Sequence, residues 1–210
     1  MSDDPSTTAN PSGAPYPADV HDAVPADLAG PRAVVEVVTH YLEMRAAPPV
    51  PVTPRADVTV VRATHPSARF YRYLYDGVGG PWHWYDRRRL PAAELATILA
   101  DPRVEVHVLY RDGEPIGYAE LDRRVAGEVE LAYFGLMPEA IGQKLGPWLL
   151  AWAIDTAWRE PTVDRVWVHT CSLDHPSALR AYLGAGFVAY GEARHRQTIL
   201  APQPDVARAD

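Results

Sequence analysis

The run from residue 128 to residue 171 constrains this chain more than any other stretch. EVELAYFGLM (128–137) is mostly apolar, as a central strand is. GQKLGPWLLAWAIDTAWR (142–159) is the clearest helix, with Leu149, Leu150, Ala153, Ile154 and Ala157 on one face. VDRVWVHTC (163–171) is a strand again. A strand that leads through a helix into another strand needs a sheet whose face that helix covers. Upstream, VEVHVLYRDGEPIGYAELDRR (104–124) carries alternating apolar residues on both sides of Asp112-Gly113, a strong hairpin turn pair. Crossover and hairpin together predict a mixed sheet in the α/β (α+β) class.

The remaining elements fit around that core. Residues 33–43, AVVEVVTHYLE, are rich in β-branched residues and predict a strand, although Val34, Val37, Val38 and Tyr41 also fit a helical stripe. APPVPVTPR (47–55) is a proline-rich connector, and DVTVVRA (57–63) alternates as a strand does. Residues 63–80 open on a Thr64/Ser67 cap signal and carry aromatics at helical spacing until Gly77. PWHWYDRR (81–88) is an aromatic loop, and LPAAELATILAD (90–101) a short helix with Pro91 near its first turn. HPSALRAYLGAG (175–186) is a helix ended by Gly184 and Gly186, followed by a strand over 187–200. No internal repeat is visible.

Proline decides the ends. Ten of the 21 prolines fall in the first 54 residues, and residues 1–30 hold five Asp and no Lys or Arg. Such a stretch buries too little apolar surface to offset its ordering entropy, which predicts a flexible acidic tail over 1–30, with Tyr16 as a local docking point. The expected division is therefore a tail (1–30), a strand-like arm and connector (31–55), one domain (56–200) and a C-terminal tail (201–210). Net charge is −7, from 20 basic and 27 acidic residues, which argues against nucleic acid as a partner. No apolar run approaches the length of a membrane span, and MSDDPSTTANPSG has acid where a signal peptide needs base. Cys171 is the only cysteine, too few for a disulfide framework. These features point to a cytoplasmic protein.

Two segments carry chemistry. The first is Gly142-Gln143-Lys144-Leu145-Gly146-Pro147 at the start of helix 142–159. Main-chain N–H groups there lack helical partners and sit at the positive end of the helix dipole. Glycine lets an anion approach, so the segment suits a phosphate, and Lys144, the only lysine in the chain, lies within it. It is neither a Walker A loop nor a GxGxxG turn, and a plain structural helix start is the other reading. The second is His175-Pro176-Ser177-Ala178-Leu179-Arg180-Ala181-Tyr182-Leu183-Gly184-Ala185-Gly186-Phe187.

Together these segments resemble the GNAT superfamily of acyl-CoA-dependent N-acyltransferases, over roughly residues 56–200 and most strongly over 128–187. The family's pyrophosphate loop, Arg/Gln-x-x-Gly-x-Gly/Ala, reads here as Ile141-Gly142-Gln143-Lys144-Leu145-Gly146, with Ile141 and Lys144 departing. Its later motif, Asn-x-x-Ala-x-x-x-Tyr-x-x-x-Gly-Phe, departs only at His175. The resemblance implies a strongly twisted mixed sheet with helices on both faces and a splay between two central parallel strands. Acetyl-CoA would be the cosubstrate, with its pantetheine arm in the splay on main-chain groups of Phe134, Leu136 and Met137. Its pyrophosphate would lie on Gly142, Gln143, Lys144, Leu145 and Gly146.

The resemblance also implies roles. Glu130 stands where several members keep a carboxylate base, and an ammonium cannot attack a thioester before it loses a proton. A substrate-ammonium anchor and a solvated surface charge are its other readings, and Glu128 is the reserve candidate. Tyr182 would protonate the departing CoA thiolate, or else simply pack on the core. Tyr75, Trp82, Trp84 and His169 are candidates for the acceptor wall, and aromatics with Asp76 and Asp86 nearby suit a cationic amine. No metal is needed. A Cys171–His175–Asp174 nucleophile and a His169/Cys171/His175 metal set are weaker readings of the same region. The expected acceptor is a primary amine on a small molecule or peptide. The oligomeric state, monomer or homodimer, is open. Rival functions are a non-catalytic CoA-binding regulator and a cysteine-dependent hydrolase.

Overall fold

The computed structural model describes residues 24–49 and 52–201. Seven strands form one sheet: β1 (Arg32–Met44), β2 (Thr59–Ala63), β3 (Val104–Arg111), β4 (Glu114–Asp122), β5 (Glu128–Leu136), β6 (Arg165–Cys171) and β7 (Val188–Leu200). The helices are α1 (Ala68–Gly79), α2 (Asp86–Arg89), α3 (Ala92–Ala100), α4 (Leu145–Ala157) and α5 (Ala178–Gly184). The strand order is β2-β3-β4-β5-β6-β1-β7. Among the described strands only β5 and β6 run parallel, joined by the α4 crossover, so the sheet is mixed as expected.

The helices divide between the two faces. Tyr71, Leu74, Tyr75 and Val78 of α1 recur at helical spacing and are buried with Leu95 of α3 against Val106, Val108 and Tyr118. On the other face Leu150, Ala153, Ile154 and Ala157 of α4 pack with Tyr182 of α5 and Phe187 on Val129, Leu131, Val166 and Val168. Each fully buried large apolar side chain of this kind contributes about 1.5–3 kcal/mol. The Ser67 hydroxyl caps α1 by accepting from the Phe70 N–H at 3.2 Å. Asp112 and Gly113 take φ of 52° and 86°, the paired left-handed geometry that lets two residues close the β3–β4 hairpin.

Several boundaries differ from the sequence expectation, each for a local reason. The 33–43 segment resolves as strand, and β1 lies between β6 and β7, pairing antiparallel with both. Helix α4 begins at Leu145, because Gly142 and Lys144 have φ of 84° and 59°, which no right-handed helix accommodates. Helix α5 begins at Ala178, after His175 Nδ1 has accepted from the Ser177 N–H at 3.1 Å. Part of the stretch expected to be flexible tail is packed, with Val24 and Pro25 buried and Leu28 half-buried. Val24 is 4% exposed and clusters with Tyr85 and Ile199, and Asp27 pairs with Arg88 at 2.7 Å. Tyr16, the rest of the N-terminal tail and residues 202–210 lie outside the described residues.

Candidate active site

The parallel pairing of β5 with β6 is brief. It joins Glu128, Val129 and Glu130 to Arg165, Val166 and Trp167, and then the strands part. The opening is a cleft of about 970 Å³. Leu131 to Leu136 line one wall and His169 and Cys171 the other, with Ile141, Gly142, Lys144, Gly146 and Pro147 at one end. So the expected splay and the expected phosphate loop open into one space.

The backbone of β5 fixes what that wall offers. Main-chain groups of an antiparallel strand alternate between its two edges. The Met137 N–H donates to the Ile116 carbonyl at 2.9 Å, and the Met137 carbonyl accepts from the Ala140 N–H at 2.9 Å. With Leu136 opposite Gly117 and Phe134 opposite Ala119, the alternation turns the main-chain groups of Phe134 and Leu136 towards the splay. Met137 is the correction to the sequence reading: it is 3% exposed and its donor is already used inside the fold.

At the loop end the sequence departures acquire a geometry. Lys144 holds the left-handed backbone itself, immediately before α4, at the position where the motif has glycine. A Cβ on Gly146 would meet only Leu136 Cδ1 at 3.8 Å, so packing alone does not demand glycine there. The open space above Gly146 suits a ligand approaching the first turn of α4. Gln143 and Leu145 do not line the cleft. The Gln143 side chain bridges Arg111 and the Glu139 carbonyl, and Leu145 is fully buried.

The other end is aromatic. Tyr75, Trp82 and Trp84 line it with Tyr133, Tyr41 and His169. Trp84 lies flat against α1 because Gly79 has no Cβ; one placed there would stand 2.1 Å from Trp84 Cε3. Behind Tyr75 and Tyr133 sits a buried charge pair. Arg87 Nη2 donates to Glu120 Oε1 at 2.6 Å, the Tyr71 hydroxyl donates to Glu120 Oε2, and the guanidinium lies 5.3 Å from the Tyr133 ring centre. Burial pushes the Glu120 carboxyl up despite the stabilising pull of Arg87.

The candidate proton-transfer groups are partly brought together. Tyr182 is 7% exposed, with its ring edge-on to Phe134 and Phe187, and it lines the cleft. Burial, then the nearby Asp174 charge, holds its phenol well above the usual range, so the proton stays on oxygen. Glu130 does not line the cleft. It is the last β5 residue still paired with β6, and its Oε1 stands 3.3 Å from Nδ1 of His169, which does line it. Glu128, the reserve candidate, is taken up in an ion pair with Arg165 at 2.8 Å, and Arg165 also holds Glu43.

The cysteine reading fits poorly. Burial pushes the Cys171 thiol up to about 12. Asp174 accepts from Trp84 Nε1, Thr170 Oγ1 and the Cys171 N–H, while His175 is engaged with Ser177. Sequence reading missed Tyr41, Arg180 and the 193–197 segment of β7 as cleft residues, and had Asp174 only as a partner of Cys171 and His175. Tyr41 and β7 arrive through pairings between strands some 150 residues apart in the chain, for which a linear motif gives no signal.

Residues 67–187 match the family described as Acetyltransferase (GNAT) family. No curated protein matches the chain. Among solved structures, a conserved protein of unknown function from Staphylococcus epidermidis ATCC 12228 is 16% identical over 80% of this chain and 63% of its own, with a TM-score of 0.55. A GCN5-related N-acetyltransferase from Sphaerobacter thermophilus is 18% identical over 79% of this chain and 52% of its own, with a TM-score of 0.53. A tandem GNAT protein from the clavulanic acid biosynthesis pathway is 16% identical over 80% of this chain and 55% of its own, with a TM-score of 0.52. The chain thus spans between half and two thirds of these structures, and at such identities the likeness is one of fold.

Proposed function

The chain belongs to the GNAT acetyltransferase family, and from that premise we propose that it moves an acetyl group from acetyl-CoA to a primary amine by direct transfer in a ternary complex. The observation that carries this reading is the single cleft that joins a glycine-bearing helix start, an unpaired stretch of β5 edge and an aromatic chamber.

Each part has a task. The main-chain groups of Phe134 and Leu136 hold the pantetheine arm as a further strand would. The first turn of α4, with Gly146 and the Lys144 ammonium, receives the pyrophosphate. The acceptor enters past Trp82 and Trp84, whose ring faces and the Asp86 carboxylate suit a cationic amine on a small molecule or peptide, while Tyr75, fully buried, backs the wall rather than touching the acceptor. Its ammonium loses a proton at the Glu130–His169 pair. The neutral nitrogen then attacks the thioester carbonyl, and a main-chain N–H of the 134–136 wall meets the oxyanion. The C–S bond breaks, and Tyr182 supplies a proton to sulfur. The second amine proton, lost as the intermediate collapses, replaces it. The balance is ammonium plus thioester giving amide, free thiol and one proton.

Purified protein with acetyl-CoA and a panel of amines tests this by release of free thiol. The expected result is amine-dependent thiol release that saturates in both substrates. CoA binding by calorimetry with no release on any amine would favour the regulator reading instead. Thiol-reagent-sensitive hydrolysis without CoA would favour the hydrolase.

A further inference from the structure

We propose that His169, not Glu130, is the group that takes the acceptor's proton, with Glu130 as the residue that positions it; this rests on the acetyl-transfer reading above. Three observations lead there. His169 lines the cleft, whereas the lining of β5 begins only at Leu131, one residue beyond Glu130. Glu130 Oε1 lies 3.3 Å from His169 Nδ1, so the carboxylate addresses one ring nitrogen and proton exchange with the acceptor falls to Nε2. The ring sits where β5 and β6 separate, on the face that also carries Tyr41, 6.2 Å away between ring centres.

The surroundings tune the ring for this task. Burial alone would depress the imidazole, but Glu130 first, then Asp174 in the turn after β6 and Asp86 on α2, more than offset it and hold its pKa above the ordinary value. Tyr41 from β1 and Cys171 from β6 also face this part of the cleft, and both stay neutral because burial raises their pKa. Arg194, His195 and Arg196 of β7, His83 after α1, and His175 and Arg180 after β6 line the same cleft. An imidazole held above its ordinary value has a higher proton affinity, which favours taking a proton from an ammonium. In the step itself the acceptor ammonium gives its proton to Nε2, Glu130 stabilises the resulting imidazolium, and the proton leaves to solvent after transfer.

The test compares His169→Gln with Glu130→Gln in the full chain, using acetyl-CoA and the best amine of the panel across pH 5.5–9.5. In the wild type kcat falls as pH drops through the His169 pKa. His169→Gln should lower kcat by about 10²-fold or more, leave the KM for acetyl-CoA within a few-fold, and abolish that acid limb. Glu130→Gln should keep the limb but move it to lower pH, since the removed carboxylate was what raised the imidazole. Histidine-resolved NMR titration of Glu130→Gln reads the same downward shift without turnover. The reverse pattern, limb lost in Glu130→Gln and kept in His169→Gln, overturns the assignment and leaves the acetyl-transfer reading standing. A wild type inactive on every amine overturns both. If His169→Gln does not fold, an unshifted His169 titration in Glu130→Gln is the overturning result.

Discussion

Trp84 Nε1 donates to Asp174 Oδ1 at 2.9 Å, a bond between the loop after α1 and the turn after β6. It ties the aromatic chamber to the strand that carries His169 and Cys171. The same carboxylate accepts from Thr170 Oγ1 at 2.7 Å and the Cys171 N–H at 2.8 Å. Asp174 is therefore the knot that sets how far the acceptor wall stands from the splay.

Breaking one strand of that knot should be felt by the acceptor alone. Trp84→Phe removes a single donor to a charged acceptor and should cost about 1–3 kcal/mol of stability in urea unfolding. The KM for amine should rise several-fold while that for acetyl-CoA stays near wild type. An equal rise in both would mean that Trp84 supports the whole cleft rather than its acceptor end.

The loop before α4 separates backbone strain from ligand binding. Lys144 occupies the left-handed region, which costs an L-residue about 1–2 kcal/mol, so Lys144→Gly should raise stability by about 1 kcal/mol and Lys144→Ala should not. Both should weaken CoA binding and flatten its salt dependence if the ammonium meets phosphate. Gly146→Asp has room in the free protein and suits the first turn of a helix, so its unfolding midpoint should hold. Its CoA affinity by calorimetry should fall at least tenfold; unchanged affinity would remove the phosphate from this loop.

Tyr182→Phe keeps the ring that packs between Phe134 and Phe187 and deletes only the hydroxyl. The fold should persist and kcat should drop by about 10²-fold, with CoA binding within a few-fold of wild type. A change confined to KM would make the hydroxyl a substrate contact rather than the donor to sulfur.

The Arg87–Glu120 pair predicts a large single-site cost. Arg87→Met leaves the Glu120 carboxylate, 0% exposed, without its cation, and should destabilise by about 3–5 kcal/mol in urea unfolding. Adding Glu120→Gln should recover part of that loss, because the buried charge is then gone and the Tyr71 hydroxyl keeps an acceptor. A double variant no better than Arg87→Met would show that packing of the Arg87 stem, not the stranded charge, sets the cost.

What the sequence by itself determined was local. Asp112-Gly113 closes a two-residue hairpin because these residues tolerate positive φ. Leu149, Leu150, Ala153, Ile154 and Ala157 are buried because helical periodicity put them on one face. Gly142 to Gly146 and Tyr182 were visible as motifs because each lies within one short segment. The tertiary structure decided whatever depends on strands meeting across the chain. β1 pairs with β6 and β7 through registers that no linear pattern encodes, and so brings Tyr41 beside His169. Met137 loses its expected role because strand alternation had already committed its N–H to Ile116. Tail residue Val24 is buried because Tyr85 and Ile199 offer it an apolar seat that its own neighbours do not. Glu130 stands out in sequence as the carboxylate on the right strand. That His169 comes between it and the cleft follows only from where β5 and β6 part, since that point fixes which side chains face the opening and which remain in the paired sheet.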